Sequence, residues 1–199
     1  MSDRDNRTVV PAELPLGHMD HCRPAPCWVS LSCRACWGGG FGMVYRGYDH
    51  SLHRAVAIKE YMPSMLVGRV QGMQVSARST ADAPPFQAGM NSFIAEARLL
   101  ARFDHPSLVK VYRFWEANNT AYMAMPLYQG MTLKQARSTM GGPPPEEWLR
   151  AVLWSVLEAL KVLHGNGTPH RDVSPDNIFL QDIGPSGVAG SGVGKAGHH

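Results

Sequence analysis

His170-Arg171-Asp172-Val173-Ser174-Pro175-Asp176-Asn177, followed by Ile178-Phe179-Leu180, is the stretch from which the rest of this chain becomes readable. It sets a carboxylate, Asp172, five residues ahead of a carboxamide, Asn177, at the mouth of a short apolar strand. That spacing suits a base that takes a proton from an alcohol, with an amide oxygen beside it to hold a metal. Such a site needs partners elsewhere in the chain.

Three upstream signals supply candidates. Gly38-Gly39-Gly40-Phe41-Gly42-Met43-Val44-Tyr45 reads as a glycine-rich turn between strands. Without Cβ atoms, its backbone N–H groups can close over phosphates. Lys59 ends the apolar strand Val56-Ala57-Ile58-Lys59 and carries a cation off a buried sheet. A snorkelling strand-end lysine is the ordinary reading, a phosphate clamp the functional one. Glu96 lies on a segment whose Phe93, Ala97, Leu100 and Ala101 recur at helical spacing, and it could hold that lysine in place. The ordinary reading of Glu96 is a solvated helix glutamate.

Around these signals the chain reads as hairpin, helix, hairpin, two helices and a catalytic-type loop, an α+β pattern in two lobes. Met43–Tyr45 and Arg54–Lys59 pair as the first hairpin. Residues 63–90, rich in Gly, Pro, Ser and Ala, read as a loop or insertion. Leu108–Trp115 and Thr120–Met125 form the second hairpin over Asn118-Asn119. A short helix follows over Thr132–Met140. Pro143-Pro144-Pro145-Glu146-Glu147 starts another, with its acids at the positive end of the dipole. Leu149, Val152, Leu153, Val156, Leu157, Leu160 and Leu163 give that helix a wide apolar stripe, ended by Gly165-Asn166-Gly167.

The bulk properties narrow the function classes. The 199 residues are 44% hydrophobic, which allows a core and argues against wholesale disorder. A net charge of +3 without a long basic run does not point to nucleic acid or an anionic membrane as partner. No apolar stretch approaches membrane-spanning length, so a cytoplasmic protein is expected. All four cysteines, Cys22, Cys27, Cys33 and Cys36, fall in one short segment spaced C-x4-C-x5-C-x2-C. They read either as free thiols or as a zinc knuckle.

Taken in order, the glycine loop, Val-Ala-Ile-Lys, helix glutamate and His-Arg-Asp…Asn resemble the eukaryotic-type (Hanks-type) protein kinase family. The stretch Lys59-Glu60-Tyr61-Met62-Pro63 is similar to the wording of bacterial serine/threonine kinases. The resemblance covers about residues 38 to 182. It implies an α+β, protein-kinase-like fold: an antiparallel N-lobe sheet with an αC helix, plus an incomplete helical C-lobe. It also implies binding of ATP and Mg²⁺ and transfer of the γ-phosphoryl group to a Ser or Thr hydroxyl of a protein substrate. By position, Gly39, Gly40 and Gly42 would cover the phosphates, and Val44 and Ala57 would contact adenine. Lys59 would bind phosphates and pair with Glu96. Met125 would be the gatekeeper and Pro126–Tyr128, with Leu127 at its centre, the hinge. Asp172 would deprotonate the substrate hydroxyl and Asn177 would bind the metal.

The same resemblance exposes departures. Trp37 stands where the family's first loop glycine belongs, and Leu31–Cys36 make a poor first strand. Ser174 replaces a lysine usual two residues after the aspartate. No Asp-Phe-Gly follows Leu180; Asp182 is too close to Asn177 to serve. The expected organisation is an irregular segment at 1–37, an N-lobe at 38–128 with its insertion at 63–90, a partial C-lobe at 129–183 and a low-complexity tail at 184–199. The two ends read as out-of-frame text. Beside an active kinase stand two alternatives: a pseudokinase that holds nucleotide or a partner, and the non-functional product of a frameshifted gene.

Overall fold

The computed structural model describes residues 31–39, 42–70, 72–181 and 191–193, with the first and last of these as backbone. Its upper lobe is a five-stranded antiparallel sheet in the order β1-β2-β3-β7-β6. The strands are β1 (Leu31–Gly39), β2 (Gly42–Asp49), β3 (Arg54–Tyr61), β6 (Arg113–Ala117) and β7 (Thr120–Pro126). A two-stranded hairpin, β4 (Val67–Val70) and β5 (Gln74–Ala77), and an 18-residue helix, α1 (Ala83–Leu100), lie between β3 and β6. The lower lobe holds β8 (Gly130–Thr132), α2 (Leu133–Thr139), α3 (Glu146–Gly165), β9 (Ile178–Gln181) and β10 (Ser191–Val193). This is the α+β, two-lobe architecture expected from the element order.

Local chemistry explains the turns. Between β2 and β3 the buried Asp49 carboxylate accepts from the backbone N–H of Ser51 at 3.0 Å and of Leu52 at 3.2 Å. That is an aspartate capping its own turn. Between β6 and β7, Asn118 and Asn119 sit at φ 54° and 60°. Two left-handed residues in a row make the tight hairpin turn whose twist matches the strands, and asparagine tolerates them best after glycine. Helix α2 opens on a capping box. The Gln135 N–H donates to Thr132 Oγ1 at 3.2 Å, and the Thr132 N–H donates to Gln135 Oε1 at 2.9 Å. Helix α3 carries Glu146 and Glu147 in its first turn, and Arg150 donates back to Glu146 at 2.7 Å.

Strand register divides the sheet into two faces. Val44 opposes Lys59, Met123 opposes Lys59, and Met125 opposes Ala57, so these five share one face. Met123 on that face joins Phe93, Ile94, Ala97 and Leu100 of α1 in the upper core. The other face gathers Tyr45, Val56, Ile58, Trp115, Tyr122 and Ala124 into a second buried cluster. The lower core packs Val156, Ala159 and Leu163 of α3 against Leu108, Ala136, Ile178 and Leu180. One edge of the α3 stripe is therefore covered, while Leu149, Leu153, Trp154 and Leu157 stand exposed.

Several local expectations need correction. Residues 63–90 are not a loop: they form β4, β5 and the first half of α1. Pro84 and Pro85 fall in the first helical turn, where a missing N–H costs nothing, so they open this helix and do not break it. Val67 and Val75 are buried in the upper core, and tertiary packing overrides the turn-like composition around them. Leu31–Cys36, read as a poor first strand, lies in β1, which pairs with β2 along its length with one irregularity between Ala35 and Trp37. Main-chain hydrogen bonding to β2 outweighs the weak propensity of that segment. The strand expected from Leu108 begins only at Arg113. Within the tail, Ser191–Val193 pairs with β9. Residues 1–30, with Cys22 and Cys27, and Asp182 lie outside the described residues.

Candidate active site

The side of the sheet that packs with α1 brings the sequence candidates of the upper lobe together. Gly39 and Gly42 face each other where β1 turns into β2, and Gly40 lies outside the described residues. A Cβ on Gly42 would stand 2.4 Å from the backbone oxygen of Glu60. Only glycine lets this end of β2 press against β3. Val44 sits directly across from Lys59, and Ala57 lies two residues before Lys59 on the same face.

Lys59 is half-buried and its ammonium lies 5.7 Å from the centre of the Phe93 ring on α1. Burial holds its pKa below the ordinary lysine value, and the negative charge of Glu96 opposes that shift. The cation is thus aimed at the helix that carries Glu96, in surroundings that solvate it poorly. Glu96 is half-buried on α1, one residue before the fully buried Ala97.

Met125, one residue before the end of β7, lies opposite Ala57, and Pro126, Leu127 and Tyr128 follow, all half-buried. Tyr128 approaches the Phe179 ring of β9, with centroids 6.4 Å apart, so this link touches the strand that leaves the catalytic-type loop. Burial raises the Tyr128 pKa.

The loop itself is closed by short-range bonds. The Asn177 side-chain amide donates to the backbone oxygen of Asp172 at 3.1 Å, and the Asn177 N–H donates to the Ser174 oxygen at 3.0 Å. Asn177 and His170 are buried, whereas Asp172 is half-buried and Arg171 exposed. Arg171 sits at φ 66°, an uncommon conformation for a residue with a side chain. Left-handed backbone of this sort, where the surroundings fix it, gathers at functional loops. Lys134 of α2 braces the loop from outside: its N–H donates to the Pro175 oxygen at 3.1 Å, and its ammonium pairs with Asp176 at 3.1 Å. The bond from Asn177 to Asp172 ties the two residues singled out by spacing into one unit.

A hard divalent cation needs several oxygen ligands. Among the described residues no group of three or more His, Cys, Asp or Glu could hold a metal ion. The sequence after Leu180 contains no Asp-Phe-Gly. Asn177 offers one amide, so the described residues do not by themselves fit a magnesium site.

Sequence reasoning passed over one group here. Glu60, the neighbour of Lys59, is wholly buried on the opposite face of β3 and is bonded to Tyr122, Tyr45 and Arg69. The signal was present: alternation in β3 places Glu60 on the face of Val56 and Ile58, where an acid needs partners.

An antiparallel sheet packed on one long helix, joined by a short link to a lobe bearing an Asp…Asn loop, is the architecture of a protein kinase. The protein kinase domain model matches residues 38–186, and the chain belongs to the Hanks-type serine/threonine protein kinases of the bacterial kind. It is 34% identical over 158 residues to the serine/threonine-protein kinase PknL of Mycobacterium tuberculosis, covering 79% of this chain and 35% of PknL. It is 29% identical over 163 residues to PrkC of Bacillus subtilis, covering 82% of this chain and 22% of PrkC. Among solved structures, PpkA-294 in its apo form superposes with a TM-score of 0.75 at 44% identity, over 82% of this chain and 59% of that one. Rad53 in complex with AMP-PNP shares the fold at a TM-score of 0.64 and 21% identity, over 83% of this chain and 38% of that one. The chain thus spans about a third of the length of PknL. Among the described residues, no helix is long and apolar enough to cross a membrane.

Proposed function

We propose that this chain binds ATP beneath the β1–β2 turn, with Lys59 holding the phosphates, and that it serves transfer of the γ-phosphoryl group to a Ser or Thr hydroxyl. The observation that carries the reading is Lys59: a half-buried cation with a lowered pKa, coupled to Glu96, on the sheet face that also presents Val44, Ala57 and Met125. A desolvated ammonium gains most when an anion replaces its lost hydration. Gly39, Gly40 and Gly42 form the cover over the phosphates. Val44 and Ala57 contact the adenine, with Met125 and Leu127 at its edge. Glu96 keeps Lys59 oriented.

In the lower lobe Asp172 accepts the proton of the substrate hydroxyl as it attacks, and the Asn177 bond to the Asp172 backbone holds the base in place. Were a magnesium ion to sit beside this loop, the Asn177 amide would be the one ligand these residues could offer it, and its chemistry would be charge neutralisation at the phosphates. The missing Asp-Phe-Gly favours a second reading, in which the chain holds nucleotide without transferring phosphate. ATP that raises the melting temperature with no label reaching a protein substrate is the outcome that selects it.

The lysine gives a pH test of the ATP site. Lys59 must be protonated to hold phosphate, and its pKa lies below the ordinary 10.5 because burial disfavours the charged form. ATP affinity is therefore expected to fall as pH rises through that lowered pKa, before an ordinary lysine would titrate. Calorimetric titration of ATP across neutral to alkaline pH checks this. Affinity that stays flat until ordinary lysines titrate would remove Lys59 from the site.

A further inference from the structure

The buried Glu60 points to a role for the β4–β5 hairpin. Its carboxylate is 0% exposed on the face of β3 opposite Lys59. A buried carboxylate is costly unless paired and hydrogen-bonded on all sides. Here Tyr122 Oη donates to Oε1 at 2.7 Å, Tyr45 Oη donates to Oε2, and Arg69 Nη2 donates to Oε2 at 2.5 Å. Arg69 comes from β4, and its own position is fixed by a bond from Nη1 to the Met73 oxygen at 2.7 Å.

Register places Arg69 across from Val75, and Val67 lies two residues before Arg69, so all three share one face of the hairpin. Val67 and Val75 enter the core that seats Phe86, Met90 and Phe93 of α1. The hairpin also donates from the Val75 N–H to the Asn118 oxygen at 2.9 Å, which ties it to the β6–β7 turn. Tyr61, next after Glu60, stacks on Phe86 at 5.4 Å and lies against Phe93 at 5.8 Å. One small element is therefore fastened by an ion pair to the strand that carries Lys59 and by apolar contacts to the helix that carries Glu96.

We propose that Arg69 is a positioning residue for the nucleotide site: by pairing with Glu60 it clamps the β4–β5 hairpin to β3, and the hairpin in turn fixes α1, and with it Glu96, against Lys59. This rests on the reading of Lys59 as the phosphate-holding cation. The brace is built from the chain's own core, so the helix is held in place before any ligand arrives.

The test uses the full chain with two variants, Arg69→Met and Arg69→Met combined with Glu60→Gln. The double variant removes the charge that Arg69→Met would leave buried and unpaired, so it keeps the test decisive if the single variant does not fold. Hydrogen exchange of α1 amides, with α3 as internal reference, reads the helix, and ATP titration reads the site. In the double variant the melting temperature is expected to stay near the parent's, with α1 exchange about tenfold faster, α3 unchanged, and ATP affinity about tenfold weaker. Parental α1 exchange in the folded variants would overturn the proposal, as would full recovery of both readouts when the melting temperature recovers. If the parent chain binds no ATP, the proposed nucleotide site fails, and the exchange arm alone decides whether Arg69 holds the helix.

Discussion

Lys59→Met is expected to weaken ATP binding about 30-fold, the equivalent of the roughly 2 kcal/mol carried by hydrogen bonds to a charged group. Methionine keeps the length and apolar stem of the side chain, so the contact with Phe93 and the burial on the sheet are retained. The lowered lysine pKa marks a desolvation cost in the charged form, which the variant no longer bears. Its melting temperature without nucleotide should therefore equal or exceed the parent's, while its stabilisation by ATP is lost. That opposition separates a phosphate-holding lysine from one that supports the fold. A variant that binds ATP as the parent does would place the phosphates elsewhere.

Gly130→Ala is expected to destabilise the chain by about 3 kcal/mol. Gly130 sits at φ 141°, a backbone conformation that side chains rarely adopt. A Cβ there would stand 1.9 Å from the Leu180 oxygen and 3.0 Å from the Gln181 Cα, and both obstacles are backbone. Neither can swing aside as a side-chain tip would. The pairing at risk, Gly130 with Gln181 and Met131 with Leu180, fastens β9 and hence the exit of the Asp172–Asn177 loop. For a chain of this size the loss corresponds to a fall of about 8 °C in melting temperature, read by circular dichroism. An unchanged melting temperature would show that β8 and β9 can separate freely.

The legible parts of this chain were those whose local chemistry and tertiary role agree. Asn118-Asn119 favours the left-handed turn it forms. Thr132 with Gln135 caps α2, and the paired acids after Pro145 start α3. The Asp…Asn spacing is a short loop closed by the Asn177 bond to the Asp172 oxygen, so sequence distance there translates into geometry. The illegible parts were decided by distant partners. Residues 63–90 have the composition of a loop, yet Val67 and Val75 find a core, and Pro84 and Pro85 fall in the first helical turn, which accepts proline. Strand β1 is held by main-chain pairing to β2, which composition does not report. The role of Glu60 was not read from the sequence, because its partners Tyr45, Arg69 and Tyr122 come from three other strands.

If Lys59 holds the nucleotide and Asp172 is the base, as proposed, the incomplete metal ligands make transfer slow, by about two orders of magnitude for one missing electrostatic contact. The direct measurement is transfer of labelled γ-phosphate from ATP, with Mg²⁺, to a Ser/Thr protein substrate, comparing the chain with its Asp172→Asn variant. Transfer above background is expected in the chain and about a 1,000-fold loss in Asp172→Asn, with ATP affinity retained. Equal label in both would contradict Asp172 as the base.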